Sequence, residues 1–200
     1  MKKLLPLSFL FLLTLLFTAC DSDSDKETEE VAPAAVATMR SAIAYAYNEP
    51  QSAEFSEYSG MTVISNASLD IERLVVSFSV PSHVGRDAIA FSISKPQITV
   101  GYVGTYALKS LPNPATGAAD VRYSYRKDAN SYSIYLSNSS TMEGHFTITA
   151  YDAKHKLISG SYEVKMKQAF DPKANQINQT DIRRCDITIQ GNFTNVKIVQ

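Results

Sequence analysis

Tryptophan is absent from this sequence, and cysteine occurs only twice, at Cys20 and Cys185. Two thiols cannot build the multi-disulfide framework of a small secreted scaffold. The three histidines, His83, His145 and His155, have spacings that pair none of them on one strand or helix, so no zinc set is legible. Neither sign of charge dominates, with 19 Lys and Arg against 20 Asp and Glu, which argues against the concentrated basic face of a nucleic-acid-binding protein. No apolar run reaches the roughly 20 residues of a membrane-spanning helix. The longest, residues 4–17, would cover only about 21 Å as a helix. There is no Gly-x-Ser-x-Gly elbow and no phosphate loop. Carboxylates beyond residue 37 are scattered, so no acid–base pair stands out. These absences imply no cofactor and no metal, and they nominate no catalytic residue.

What is present begins with a three-zone N-terminus. Lys2 and Lys3 precede the apolar run, which Pro6, Ser8 and Thr14 alone interrupt, and the small residues Thr18 and Ala19 lead to Cys20. This is the layout of a secretory signal. The segment Phe17-Thr18-Ala19-Cys20 resembles the lipobox of bacterial lipoproteins, departing from it where Phe17 replaces the usual Leu. The resemblance implies cleavage after residue 19. It also implies diacylglycerol on the Cys20 thiol and a further acyl chain, of the palmitate type, on the freed amine. A single chain holds a protein on a membrane only marginally, whereas two or more anchor it.

Residues 20–37 change character. Asp21, Asp23, Asp25, Glu27, Glu29 and Glu30 alternate with Ser, Thr and one Lys before an Ala/Val/Pro stretch. Dense like charge opposes collapse, so the expectation is a disordered tether of up to about 55 Å. Asp21, Asp23 and Asp25 mimic the opening of a calcium loop, but Lys26 stands where that loop needs Gly and Ala32 where it needs Glu. An acidic cluster behind the lipidated Cys resembles two sorting marks. One is inner-membrane retention in enterobacteria; the other is export to the outer surface in Bacteroidota-type bacteria.

Residues 38–200 remain as one domain of ordinary size, with 16 basic against 14 acidic side chains. Four Asn-x-Ser/Thr triplets, at Asn66, Asn138, Asn178 and Asn192, reflect a composition rich in Asn, Ser and Thr. From Met61 onward the pattern has period two, the mark of half-buried strands. Leu74, Val76, Phe78 and Val80 share one parity, as do Ile89, Phe91 and Ile93. So do Phe146, Ile148 and Ala150, then Ile158, Tyr162, Val164 and Met166, then Cys185, Ile187 and Ile189. Val196 and Ile198 fall out of step with Phe193, which calls for a bulge near Gly191-Asn192. Pro81, Pro96, Pro112 and Pro114 exclude central strands at their positions. Turns are expected at 127–130 and 152–155, and residues 168–181 read as a long polar loop. Residues 34–47 fit a helix or a strand, with strand preferred. The expectation is an all-β antiparallel meander of about ten strands, closed as a sandwich or barrel.

Three segments carry a family resemblance: Gly144-His145-Phe146-Thr147-Ile148-Thr149-Ala150-Tyr151-Asp152, Ile158-Ser159-Gly160-Ser161-Tyr162, and Asp186-Ile187-Thr188-Ile189-Gln190-Gly191-Asn192-Phe193. Their rhythm is similar to that of small β-rich surface lipoproteins of Bacteroidota-type bacteria. The resemblance covers the C-terminal half, rests on structural motifs, implies no activity and transfers no functional residue. It favours surface display over inner-membrane retention.

Candidate chemistry is sparse. The histidines read as solvated imidazoles, with His145 facing away from Phe146 and Ile148. Cys185 shares the parity of Ile187 and Ile189 and reads as a buried structural thiol. Tyrosine is the unusual feature, with eleven in all. Four of them, Tyr123, Tyr125, Tyr132 and Tyr135, fall in one hairpin. Parity places Tyr135 on an outer face with Arg122 and Arg126, a cation–π patch suited to a glycan or protein. The functional expectation is a non-enzymatic module, anchored to the outer membrane through Cys20 and displayed at the surface. It would bind a protein, glycan or small ligand, or serve a structural role, and no nucleic acid. The alternative is an envelope hydrolase on a β-sandwich. A transmembrane barrel fits less well, because the chain ends Ile198-Val199-Gln200 rather than on an aromatic residue.

Overall fold

Alternation of apolar and polar residues yields strands from Val36 to Val199 in the computed structural model. It describes residues 31–47, 50–111, 113, 115–174 and 183–200. Signal-like residues 1–19, Cys20 and the acidic run through Glu30 lie outside the described residues. The chain divides into two units, Met1–Ala32 and Pro33–Gln200. Only Val31 and Ala32 of the first are described. The second holds every strand.

Twelve strands form among the described residues. They are β1 Val36–Ala37, β2 Met39–Tyr45, β3 Ser52–Tyr58, β4 Ile64–Leu69, β5 Arg73–Ser79 and β6 Asp87–Ser94. Then follow β7 Gly104–Ala107, β8 Ala119–Arg126, β9 Tyr132–Leu136, β10 Glu143–Asp152, β11 Leu157–Phe170 and β12 Arg184–Val199. Gly60–Thr62 and Lys95–Gln97 make single 3₁₀ turns. Two layers result. The first runs β7-β10-β11-β12-β2-β3, with β1 beside β12; the second runs β4-β5-β6-β8-β9. Every pairing between strands is antiparallel except one. Ile198 and Val199 of β12 lie parallel to Ala67 and Ser68 of β4 and join the layers at a corner. The sheet does not close, because β3, β7 and β9 each keep a free edge. The fold is therefore an all-β open sandwich rather than a barrel.

Aromatic rings fill the space between the layers. Phe78 of β5 stacks on Tyr162 of β11 at 4.7 Å, and Phe91 of β6 stacks on Phe146 of β10 at 4.6 Å. Phe193 of β12 completes the cluster, 5.2 Å from Phe78 and 5.7 Å from Phe146. These offset rings, together with Leu74, Val76, Ile89, Ile93, Val164, Ile187 and Ile189, are fully or almost fully buried, and such ring pairs contribute beyond their buried area.

Several expectations change. Val36 and Ala37, expected within the tether, instead form a strand that pairs with Thr194 and Phe193. Residues 34–47 settle as a strand, with Met39, Ser41, Ile43 and Tyr45 facing inward. The expected loop at 168–181 begins late, because β11 runs on to Phe170; residues 175–182 lie outside the described residues. The bulge near β12's end falls at Thr194-Asn195, three residues beyond Gly191-Asn192. There Ile158 pairs with Val196 but Gly160 with Phe193, and Asn195 takes φ 57. A second irregularity between Ile148 and Ala150 turns Ala150 outward. Pro81 and Pro96 sit between strands as expected, while Pro112 and Pro114 lie outside the described residues.

Candidate functional site

The outer face of the first layer carries a row of polar side chains in direct cross-strand register. His145 pairs with Glu163, Glu163 with Gln190, Gln190 with Arg40, and Arg40 with Glu57. Five neighbouring strands thus contribute one residue each. Ser161, Asn192 and Thr38 lie alongside, and the whole lines an open groove of about 410 Å³. Gly191 makes the groove possible. A Cβ there would collide with the Thr38 carbonyl and with the Tyr162 hydroxyl, so only glycine lets the β1–β2 chain approach so closely.

Glu163 pairs with Lys165 at 2.7 Å. Among the described residues, His145, Gln190 and Glu57 make no side-chain hydrogen bond or ion pair, and Arg40 meets only the Phe55 ring, 5.6 Å from its centroid. Phe55 itself is 64% exposed. The groove therefore offers free polar groups at His145, Gln190, Arg40 and Glu57, and the Phe55 ring lies beside Arg40. Its two carboxylates, Glu57 and Glu163, stand three strands apart, roughly 14 Å from backbone to backbone.

Other candidates from the sequence are distributed over the fold. Cys20 lies outside the described residues. His83 is exposed in the β5–β6 connection. His155 is not solvated: its side chain is only 14% exposed, its Nδ1 lies 2.7 Å from Asp152 Oδ2, and its Nε2 is buried without a partner. The β10–β11 turn folds the ring inward, which its turn position alone did not reveal. Cys185 is buried, with its Sγ 3.9 Å from the Phe170 carbonyl. Burial pushes its thiol up to about 12, with the charges of Asp171 and Asp186 adding to the effect, so it is a poor nucleophile at neutral pH. Among the described residues no three His, Cys, Asp or Glu side chains gather as metal ligands.

The tyrosine patch does not exist as expected. Tyr135 points inward, 7% exposed, pairs with Tyr123 in register, and stacks on it at 5.7 Å. Its hydroxyl donates to the Phe170 carbonyl at 2.6 Å. The residues that do share the outer face with Arg122 and Arg126 are Leu136 and Tyr132, with Ile134 between them. The edge strand β9 buries Ser133 and Tyr135 and exposes Ile134 and Leu136, which inverts the parity that hydropathy suggests.

Two buried carboxylates were not legible in the sequence. Asp87, 2% exposed, accepts hydrogen bonds from Ser41 at 3.0 Å, Tyr58 at 3.0 Å and Tyr123 at 2.6 Å. Asp171, 1% exposed, accepts from Tyr45 at 3.3 Å and from the Lys173 N–H at 2.9 Å, with Arg183 Nε at 3.7 Å. Each ties the first layer to another part of the fold, and neither lines the groove. No protein-family model, no curated protein and no solved structure matches this chain.

Proposed function

We propose that this chain is a lipid-anchored envelope protein whose β-sandwich is a non-enzymatic binding module displayed at the outer membrane surface, with the polar groove of the first layer as its contact face. The observation that carries the binding reading is the five-strand row His145–Glu163–Gln190–Arg40–Glu57 in one open groove, of which His145, Gln190 and Glu57 make no side-chain hydrogen bond or ion pair among the described residues. A surface that keeps donors and acceptors free suits a ligand whose groups both donate and accept. Sugar hydroxyls do this, and the exposed Phe55 ring beside Arg40 supplies an apolar face for a pyranose. The ligand class is therefore a glycan chain lying across the strands. The anchor rests on the lipobox-like Phe17-Thr18-Ala19-Cys20 and the acidic stretch behind it.

Two measurements on the full chain test this reading. In detergent phase partitioning, wild type enters the detergent phase and Cys20→Ser stays aqueous; equal partitioning of both defeats the anchor. On a glycan array, a retained glycan should lose about tenfold in affinity in Arg40→Gln or Glu163→Gln, each removing one charged hydrogen-bonding group. Retention unchanged in both variants removes the groove from the function.

A further inference from the structure

A second site, separate from the groove, lies where three connections meet around one tyrosine. Arg86 ends the β5–β6 connection, Lys127 opens the β8–β9 turn, and Lys173 lies in the turn after β11. With Tyr125 they line a cavity of about 280 Å³ that has no carboxylate in its wall among the described residues. The cations are held largely by uncharged oxygens. Arg86 Nη1 donates to the Lys127 carbonyl and, at 3.3 Å, to that of Arg126. Lys127 Nζ donates to the Ala174 carbonyl at 2.7 Å. Only Lys173 meets a carboxylate, that of Glu54. A backbone carbonyl orients a cation without neutralising it, so Arg86 and Lys127 keep their charge and their remaining N–H groups for another acceptor.

Tyr125 supplies the independent observation. Six tyrosines are buried in the core: Tyr45, Tyr106, Tyr123, Tyr125, Tyr135 and Tyr162. Five donate their hydroxyl to a protein oxygen: to Asp171, the Tyr102 carbonyl, Asp87, the Phe170 carbonyl and the Thr38 carbonyl respectively. Tyr125, 7% exposed, donates to none among the described residues, and its side chain forms part of the cavity wall. The hydroxyl is not sealed from solvent, since among the described residues only His155 Nε2 is a buried side-chain polar atom without a partner, and it is free to donate to a ligand oxygen in the cavity. Burial holds this phenol above its ordinary value, so it stays a donor at neutral pH.

A neighbouring cavity of about 500 Å³ shares Arg86 and Lys127 and adds Arg126, Ser82, Asp128 and the Tyr132 ring. Asp128 is the acid closest to it. Its carboxylate is turned into its own turn, accepting from Ser131 Oγ at 2.5 Å and from the N–H groups of Asn130 and Ser131.

We infer that the two cavities form one binding site for a phosphate or sulfate monoester of a small polar molecule: Arg86, Lys127, Lys173 and the Tyr125 hydroxyl hold the oxyanion, and the Tyr132 side receives the organic part. Three cations from separate directions plus a phenol match the several oxygens of a tetrahedral anion. A planar carboxylate would be saturated by one guanidinium fork.

The test is calorimetric titration of the full chain at low ionic strength with glucose 6-phosphate, glucose 6-sulfate and glucose. One or both esters should bind and glucose should not. Tyr125→Phe should weaken ester binding about tenfold, and Arg86→Gln with Lys127→Gln should abolish it. Tyr125→Phe should also melt with wild type, since its hydroxyl serves no protein partner, whereas Tyr123→Phe should melt lower. The inference is overturned if neither ester binds at about 10 mM, if Tyr125→Phe binds like wild type, or if Tyr125→Phe is destabilised as much as Tyr123→Phe.

Discussion

Tyr123 donates its phenolic hydrogen to Oδ1 of Asp87 at 2.6 Å, and both side chains are buried between the layers. Ser41 from β2 and Tyr58 from β3 share the other carboxylate oxygen. One acid at the start of β6 thus ties the second layer to two strands of the first. Replacing Asp87 with Asn keeps the shape but removes the charge and one acceptor oxygen, leaving a buried hydroxyl short of a partner. The expected loss is about 1–3 kcal/mol. Tyr123→Phe alone should cost about 1 kcal/mol, and the two losses should not add, because both variants disturb the one hydrogen-bond network around residue 87. Urea unfolding of the two single variants and the double variant measures this. Strictly additive losses would show that the bond does not contribute.

The same tyrosines set the alkaline limit. Burial, reinforced by the Asp87 charge, holds Tyr123 well above the ordinary 10.0 of a phenol. Burial likewise raises Tyr45 and Tyr135. In the unfolded chain these phenols ionise at the ordinary value, so above it the unfolded state binds fewer protons than the folded one. The stability they contribute is complete below pH 10.0 and is lost as pH rises beyond it. The unfolding midpoint should fall steeply above about pH 10. A late group of phenolates should appear only together with loss of the near-ultraviolet dichroism of packed rings. Phenolate formation by all eleven tyrosines before any loss of packing would contradict the assignment.

Much of the sandwich core was legible because its strands carry clean alternation. Leu74, Val76 and Phe78 in β5, and Ile187 and Ile189 in β12, face inward as period two requires. Strand β3 was hidden: every residue from Ser52 to Phe55 is exposed, so no apolar face marks it. Strand β9 misled, because Ser133 and Tyr135 find backbone acceptors inside, at Pro172 and Phe170, while Tyr132, Ile134 and Leu136 remain at the surface. Hydropathy ranks those residues the other way round. The sites were illegible for a different reason. The groove row joins residues from five strands through register alone, and the cations around Tyr125 come from three connections far apart in sequence. Asp87 follows Arg86 and reads as a surface charge, since its hydroxyl donors lie 29 to 46 residues away.

Three turns share one device, and it sets the acid limit. Asp70, Asp128 and Asp152 open the β4–β5, β8–β9 and β10–β11 connections. In each, Oδ1 accepts the N–H groups two and three residues ahead: Glu72 and Arg73, Asn130 and Ser131, Lys154 and His155. Hydrogen bonding to the ionised form lowers all three below the ordinary 3.8. The largest cause is the Glu72 N–H for Asp70, the Ser131 hydroxyl for Asp128 and the His155 ring for Asp152. A depressed carboxyl means that the unfolded chain binds more protons in acid. The stability from these turns is therefore present above pH 3.8 and lost as pH falls through the depressed values. Asn can make the same turn through its amide oxygen but does not titrate there. The variant carrying Asp70→Asn, Asp128→Asn and Asp152→Asn should therefore keep its hairpins at neutral pH. Its urea midpoint should fall less steeply than that of wild type between about pH 4 and pH 2. Parallel acid limbs for the two proteins would mean that these turns do not control acid unfolding.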